Sequence, residues 1–204
     1  MSDPAGSLGK TALRTRSDAF TVVELLVVMA IILVLAGLVL GTSGYVHSKA
    51  ATSRAQAEIQ AMSAGLENYK ADNAIYPSNA DTDALDARAM ASSTYDPTTT
   101  SYTKTGQYLY VALTGDSSGN GSPATGKSYI TFKTNQLSST TPYTVIDPFG
   151  YSYGYSTAYP ADLNKTPPVD PPTHGYNPTF DLWSTAGTLT SAASNIKVSW
   201  VKNW

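Results

Sequence analysis

The chain of 204 residues contains no cysteine, only two histidines and little charge. The absence of cysteine excludes a thiol nucleophile, a cysteine–zinc site and a disulfide. It does not decide the compartment, because a chain outside the cytoplasm can also lack disulfides. The formal net charge is −2, and no basic cluster lies beyond residues 1–19. Since nucleic-acid binding requires positive charge to neutralise phosphates, no nucleic-acid partner is expected.

Patterns typical of enzymes are also missing. The two histidines, His47 and His174, lie far apart in the sequence. A triad of Ser184, His174 and Asp181 could be assembled only by selecting common residue types, and no Gly-x-Ser-x-Gly turn supports it. No glycine-rich phosphate loop opens a helix. We therefore predict that the protein is not an enzyme and uses no cofactor.

The chain does contain one long apolar run, from Phe20 to Gly41, in which Glu24 is the only ionisable side chain. As a helix this run would be about 33 Å long, against a hydrocarbon core of about 30 Å. A carboxylate within a membrane costs roughly 2.5–3.5 kcal/mol on insertion scales, so Glu24 is predicted to be a functional group that finds a partner. The alternatives are a buried core helix for the run, and an interfacial or helix-capping role for Glu24.

A basic segment, residues 1–19, precedes the apolar run. A secretory signal has its small-residue cleavage site after the apolar core. Here the small residue Ala19 is followed directly by the large Phe20, and this junction lies before the apolar core of the segment. The positive charges of the segment favour a cytoplasmic N-terminus, so the bulk of the chain is expected on the other side of the membrane.

The stretch Phe20-Thr21-Val22-Val23-Glu24-Leu25-Leu26 resembles the prepilin-type cleavage and methylation motif of type IV pilins and type II secretion pseudopilins. The resemblance implies that a prepilin peptidase cuts between Ala19 and Phe20, and that the new amine of Phe20 is N-methylated. It also implies that Glu24 meets the Phe20 amine of a neighbouring subunit, which joins two separately costly buried charges into one pair. The chain departs from the family at Ala19, where the family usually has glycine.

Beyond the apolar run, residues 48–73 predict a continuation of the same helix. The segment lacks proline and repeats apolar side chains at spacings of three and four. The helix is expected to end before Tyr76-Pro77, since the residue before a proline is pushed out of the helical region. The apolar stripe consists of Ile59, Met62, Leu66 and Tyr69.

Short aromatic and β-branched runs separated by turns predict strands in the rest of the chain. The fold class is therefore α+β: a long N-terminal helix, with a membrane half and an amphipathic half, packed on a small antiparallel β-sheet in a pilin-like manner. Two long stretches, 77–107 and 156–178, are expected to be irregular and either functional or plain surface insertions. The expected strands are 108–113, 129–132, 143–146, 151–155, 179–183 and 196–200.

Three further stretches resemble the major pseudopilin of type II secretion, in the family's order. They are the helix end at 66–77, the turn Asp147-Pro148-Phe149-Gly150 with the tyrosines after it, and Phe180-Asp181-Leu182-Trp183-Ser184. That family then usually has an acidic calcium loop, but residues 185–204 contain no Asp or Glu. Calcium prefers several oxygen ligands with carboxylates among them, so no metal site is expected there, at 81–86 or at 116–120.

We therefore expect a prepilin leader at 1–19, a transmembrane and assembly helix at 20–45 and a periplasmic α+β domain at 46–204. The resemblance implies a structural subunit of a type II secretion pseudopilus-like filament in the bacterial inner membrane. Its partners would be other copies of itself, prepilin peptidase, other pseudopilins and the inner-membrane assembly platform. The alternatives are a type IV pilus subunit for adhesion, motility or DNA uptake, and a membrane-anchored binding module that does not assemble.

Overall fold

The computed structural model describes residues 20–89, 95–189 and 199–204, without the side chains of residues 39–43. It divides into two compact units, the first ending at Tyr45 and the second spanning Val46–Trp204. The predicted fold class is confirmed, because a long N-terminal helix is combined with a small antiparallel sheet. The expected leader, residues 1–19, lies outside the described residues.

Helix α1 runs from Val22 to Asn73, so the predicted continuous helix and its end are both confirmed. Ala74 ends it by adopting a φ of 67°, and its N–H donates to the carbonyl of Lys70 at 2.8 Å. The apolar stripe is also confirmed. Ile59, Met62 and Leu66 are buried, and the half-buried Tyr69 packs its ring 5.3 Å from the ring of Tyr129.

The membrane span expected within residues 20–45 is not confirmed. In the part of the chain that the structure describes, no helix is long and apolar enough to cross a membrane.

Within the described residues, three strands form one antiparallel sheet in the order β1-β2-β3. They are β1 Gly154–Ser156, β2 Asp181–Ser184 and β3 Val201–Lys202. Tyr155 pairs with Leu182, and Ser184 pairs with Val201. The strands expected at 151–155 and 179–183 are thus confirmed with small shifts. Most of the strand expected at 196–200 lies outside the described residues, and β3 begins just after it.

The strand expected at 108–113 is wrong, because these residues lie in helix α3, which runs from Thr100 to Thr114. Its buried residues recur every three to four positions, which is a helical period, and this period outweighs the strand propensity of the aromatic run. Gly115 ends the helix at a φ of 72°, with its N–H donating to the carbonyl of Val111. The buried residues of α3 are Tyr102, Thr105, Gly106, Leu109, Tyr110 and Leu113.

The strands expected at 129–132 and 143–146 are also wrong. The first segment pairs with no strand among the described residues, because the N–H groups of Tyr129 and Ile130 both donate to the carbonyl of Leu113 at the end of α3. The second segment makes only isolated bridges, Val145 with Leu137 and Ile146 with Ser152. Their apolar side chains nevertheless join the core. Val145 is buried within the larger core cluster, and Ile130 packs against that cluster.

The stretches expected to be irregular contain regular structure. Helix α2, Ala80–Ala84, begins with a capping box between Asn79 and Thr82. Most of the first half of α3 also lies within the expected loop 77–107, and helix α4, Ala158–Leu163, lies within 156–178. A 3-10 helix covers Thr134–Gln136.

The core of the second unit has two clusters. The larger one is shared by α1, α3 and the sheet, and includes Ile59, Leu66, Leu109 and Leu182. The smaller one surrounds Trp183, whose indole N–H donates to the hydroxyl of Tyr102 at 2.7 Å.

Candidate functional site

The N-terminal motif forms a capping box at the start of α1. The backbone N–H of Thr21 donates to Glu24 Oε2 at 2.9 Å, and the backbone N–H of Glu24 donates to Thr21 Oγ1 at 3.2 Å. The Thr21 hydroxyl also donates to Glu24 Oε2 at 2.9 Å. These reciprocal bonds satisfy two of the backbone donors that every helix N-terminus leaves free. In the single subunit Glu24 therefore caps its own helix, which is the alternative role that the sequence left open for it.

The capped Glu24 carboxylate remains accessible at the helix start. The side chains of Phe20 and Glu24 are exposed, and that of Phe20 is 79% accessible. The helix N-terminus favours a negative charge, so the carboxylate is stabilised one turn from Phe20. The spacing Thr21-x-x-Glu24 is a sequence signal for this cap. Ala19 lies outside the described residues, so the structure describes only the Phe20 side of the predicted cleavage site.

A second candidate region lies where the three pseudopilin-like stretches meet. Asp147 is 2% exposed and accepts the backbone N–H groups of Phe149 at 3.0 Å and Tyr151 at 2.9 Å. It also accepts the hydroxyl of Ser184 at the end of β2. Burial raises the pKa of Asp147, because loss of hydration outweighs these hydrogen bonds. The turn at 147–150 is thereby fixed to the stretch 180–184.

The helix end at 66–77 joins the same region. The ring of Tyr76 meets that of Phe180 edge-on at 5.0 Å, and the Tyr155 hydroxyl donates to the carbonyl of Pro77 at 2.6 Å. The Tyr76 hydroxyl donates to Glu67 at 2.8 Å, and burial together with this bond raises the pKa of Tyr76 to about 12. The three stretches therefore form one contiguous junction, which fastens the end of α1 to the sheet.

A further polar contact fastens the middle of the second half of α1. The hydroxyl of Tyr153, which is fully buried, donates to Glu58 Oε2 at 2.7 Å. Sequence reasoning missed this pair, because nothing in the spacing of Glu58 and Tyr153 connects them.

The structure does not bring together the residues of the rejected catalytic triad. The His174 ring nitrogen Nδ1 contacts Asp162 at 2.8 Å, whereas the Ser184 hydroxyl binds Asp147. Asp181 accepts the backbone N–H groups of Tyr176 at 2.7 Å and Asn177 at 2.9 Å. Each of these groups therefore serves a different local contact.

In the acidic stretches considered as metal sites, Asp116 and Asp81 contact backbone N–H groups and a lysine of the same chain. Asp116 is buried and accepts N–H groups from Ser118, Gly119 and Gly121, which fold the loop around it. Asp81 forms an ion pair with Lys104 at 3.3 Å. Among the described residues, no group of three or more histidines and carboxylates is placed to hold a metal ion.

Comparison with known families gives one match. Residues 14–40 match the family model described as the prokaryotic N-terminal methylation motif. This is the prepilin-type signature of type IV pilins and pseudopilins, so the predicted resemblance of the N-terminal motif is confirmed. Comparisons with curated proteins and with solved structures gave no significant match.

Proposed function

We propose that the protein is a structural subunit of a type II secretion pseudopilus-like filament. The observation that carries this proposal is the methylation motif at 14–40, within which Glu24 stands exposed at the start of a long apolar helix. Prepilin peptidase cuts between Ala19 and Phe20, and the new amine of Phe20 is N-methylated. A membrane holds the subunit before assembly, with residues 20–45 as the anchor and 46–204 as a periplasmic domain.

Assembly replaces the capping contact of Glu24 by an intersubunit one. The freed amine of Phe20 is cationic, and a neighbour's Glu24 carboxylate gives it a partner in the apolar core of the filament. Glu24 exchanges hydrogen bonds from the neutral donors of Thr21 for one from a cationic donor, which adds the attraction between two opposite charges. Contacts of this head-to-tail kind do not close, so they extend into a helical filament.

The assignment to secretion rests on the junction of the three pseudopilin-like stretches. Their contacts, Asp147 with Ser184 and Tyr76 with Phe180, support a common role in fixing α1 to the sheet. Similar short sequences in the same order occur in the major pseudopilin, which favours a pseudopilus over a type IV pilus. Other pseudopilins and the inner-membrane assembly platform would be the partners.

The N-terminal mass of the protein extracted from membranes tests the proposal. Loss of residues 1–19 together with one added methyl group is expected. An intact leader would contradict it and favour a membrane-anchored module that does not assemble. Expression beside either a type II secretion platform or a type IV pilus platform separates the two filament types, since filaments are expected only with the first.

A further inference from the structure

The second unit carries a cleft between α1 and the segment 130–136. Its volume is about 240 Å³, and buried or half-buried apolar side chains form its floor, among them Met62, Phe132 and Val145. Arg54 stands on the α1 wall and Lys133 on the opposite wall, and both are exposed. The cleft is therefore apolar at its base and positively charged at its rim.

The two rim cations share the cleft with one carboxylate, and in the described part of the subunit they form no ion pair with it. Glu58 also lines the cleft, but its carboxylate accepts the hydroxyl of Tyr153 at 2.7 Å. Of the residues that the structure describes, none forms an ion pair with Arg54 or Lys133. An apolar cleft with two unpaired cations at its rim fits a short apolar segment that carries a carboxylate.

The same chain has such a segment, the exposed arm formed by residues 163–171. It contains Pro167, Pro168 and Pro171, and all of its residues except the half-buried Val169 are exposed. Asp170 lies near its end. Among the side-chain carboxylates of the described residues, Asp170 is the one without a hydrogen bond or ion pair, since each of the others accepts at least one hydrogen bond.

The arm is held out from the domain by its base. The carboxylate of Asp162 accepts Lys165 Nζ at 2.6 Å and the N–H of Thr173 at 2.9 Å, and its carbonyl accepts the N–H of Val169 at 3.0 Å. One residue thus anchors both ends of the arm. Because each proline ring fixes φ, little chain entropy remains to be lost when the arm binds.

The arm and the cleft lie at different levels of α1. The cleft is centred on Glu58 and Met62, whereas the base of the arm faces Lys70, Ala74 and Ile75 across a second pocket. Fifteen residues of helix separate Glu58 from the end of α1, which is about 22 Å. Two different surfaces at two levels suit a head-to-tail contact between copies.

We propose that the arm of one copy docks in the cleft of the next, with Asp170 between Arg54 and Lys133. The contact rests on the proposed function, since it operates within the filament. It adds a specific contact between the globular domains to the pairing of Glu24 with Phe20.

Cross-linking tests this contact directly, because the chain has no cysteine of its own. Ala57 is exposed and lines the cleft, and Thr166 is exposed on the arm. Ala57→Cys and Thr166→Cys are therefore introduced together into the full chain, which keeps Asp170 in place. Filaments treated with a short flexible bis-maleimide are expected to give a ladder of covalent oligomers. Neither single variant gives a ladder, and neither does Ser117→Cys with Thr166→Cys, because Ser117 is exposed but lies outside the cleft.

The outcomes separate the contact from the filament itself. Filaments that form without a ladder, or that give adducts only with other proteins, overturn the docking contact and leave the proposed function standing. If the unmodified chain forms no filaments beside a working assembly platform, both proposals fall.

Charge reversal gives an independent measurement. Asp170→Lys is expected to lower filament yield about fivefold, the effect of about 1 kcal/mol for an exposed pair. Arg54→Glu alone is expected to lower the filament yield to the same extent. The double variant, which restores opposite charges at the two positions, is expected to recover most of the lost yield. Lys49→Glu is the matched control, because Lys49 is an exposed cation of α1 outside the cleft. An equal loss with Lys49→Glu, or no recovery in the double variant, contradicts the specific pair.

Discussion

At the scale of single residues, Glu24 has one contact in the subunit and a second, proposed contact in the filament. In the subunit it is hydrogen-bonded to Thr21 at 2.9 Å, and in the proposed filament it faces a neighbour's amine. Sequence reasoning found Glu24 from its isolation among apolar residues, and the spacing from Thr21 supplies its first partner. The proposed second partner is the Phe20 amine of another copy. It is inferred from the way in which the family's N-terminus is processed, because the contacts within one chain cannot reveal it.

Replacing Glu24 by Gln or Val tests the second role. Insertion into the membrane is expected to be unchanged or easier, because a carboxylate is removed from lipid. Filament yield is expected to fall sharply, since an unpaired buried amine costs about 3–5 kcal/mol. Subunit abundance by immunoblot and filament yield by electron microscopy are compared. Thr21→Val is the control for the cap, because it weakens the helix start while keeping the carboxylate. Wild-type yield from Glu24→Val would remove the pairing mechanism.

Gly154 gives a second prediction at the residue scale. A Cβ at this position would lie 2.2 Å from the indole of Trp183, which is fully buried. Gly154→Ala is therefore expected to lower the free energy of unfolding by about 1–3 kcal/mol, as overpacking does. Gly126→Ala is the matched control, because its Cβ would meet its nearest atom at 3.7 Å. Equal melting temperatures for the two variants would show that the region around Trp183 relaxes.

At the scale of elements, the proline-containing stretch 156–178 is organised by one carboxylate. Asp162 accepts hydrogen bonds from Lys165, Thr173 and His174, and the contact with Lys165 is the main cause that holds its pKa well below the usual range. Sequence reasoning expected an irregular loop here, because the bonds to Asp162 come from three to twelve residues away and follow no repeating pattern.

Asp162→Asn is expected to loosen the arm without unfolding the domain. The amide keeps one acceptor oxygen, but it loses the other acceptor position and the ion pair with Lys165. Because the two ends of the arm are then held less firmly, limited proteolysis should cleave within residues 163–171 several-fold faster. Asp170→Asn provides the comparison, since Asp170 has no hydrogen bond or ion pair among the described residues and its loss should leave the cleavage rate unchanged. An unchanged rate in Asp162→Asn would show that the prolines alone hold the arm.

At the scale of the whole molecule, the sequence predicted the parts that depend on local pattern. The stripe of α1, the fold class and two strands follow from periodicity, and they are present. The run Tyr108–Leu113 was misjudged because a strand and a helix share the same aromatic residues there, and only the longer period from Tyr102 to Leu113 separates them. The junction of Asp147 with Ser184 joins residues 37 positions apart, and no local pattern encodes such a contact.

Buried carboxylates should give the folded state a characteristic dependence on pH. Burial raises the pKa of Asp181 to about 6, against about 3.9 in an unfolded chain. Well below pH 4 the group is protonated in both states, and stability does not depend on its titration there. As the pH rises from about 4 to about 6 it ionises first in the unfolded chain, so its contribution to stability falls by on the order of 2 kcal/mol. Asp147, whose pKa is also raised, acts in the same direction.

Asp181→Asn isolates this contribution. The amide cannot ionise, so the stability of the wild type relative to the variant is expected to decrease as the pH rises from 4 to 6 and to stay level above 6. Urea unfolding at several pH values measures the difference. Asp162 opposes the trend, because its lowered pKa contributes stability above about pH 4 that is lost on acidification, but it is present in both proteins and cancels in the comparison. A difference that is constant between pH 4 and 6 would show that Asp181 ionises normally in the fold, with the two backbone N–H groups of Tyr176 and Asn177 compensating for its burial.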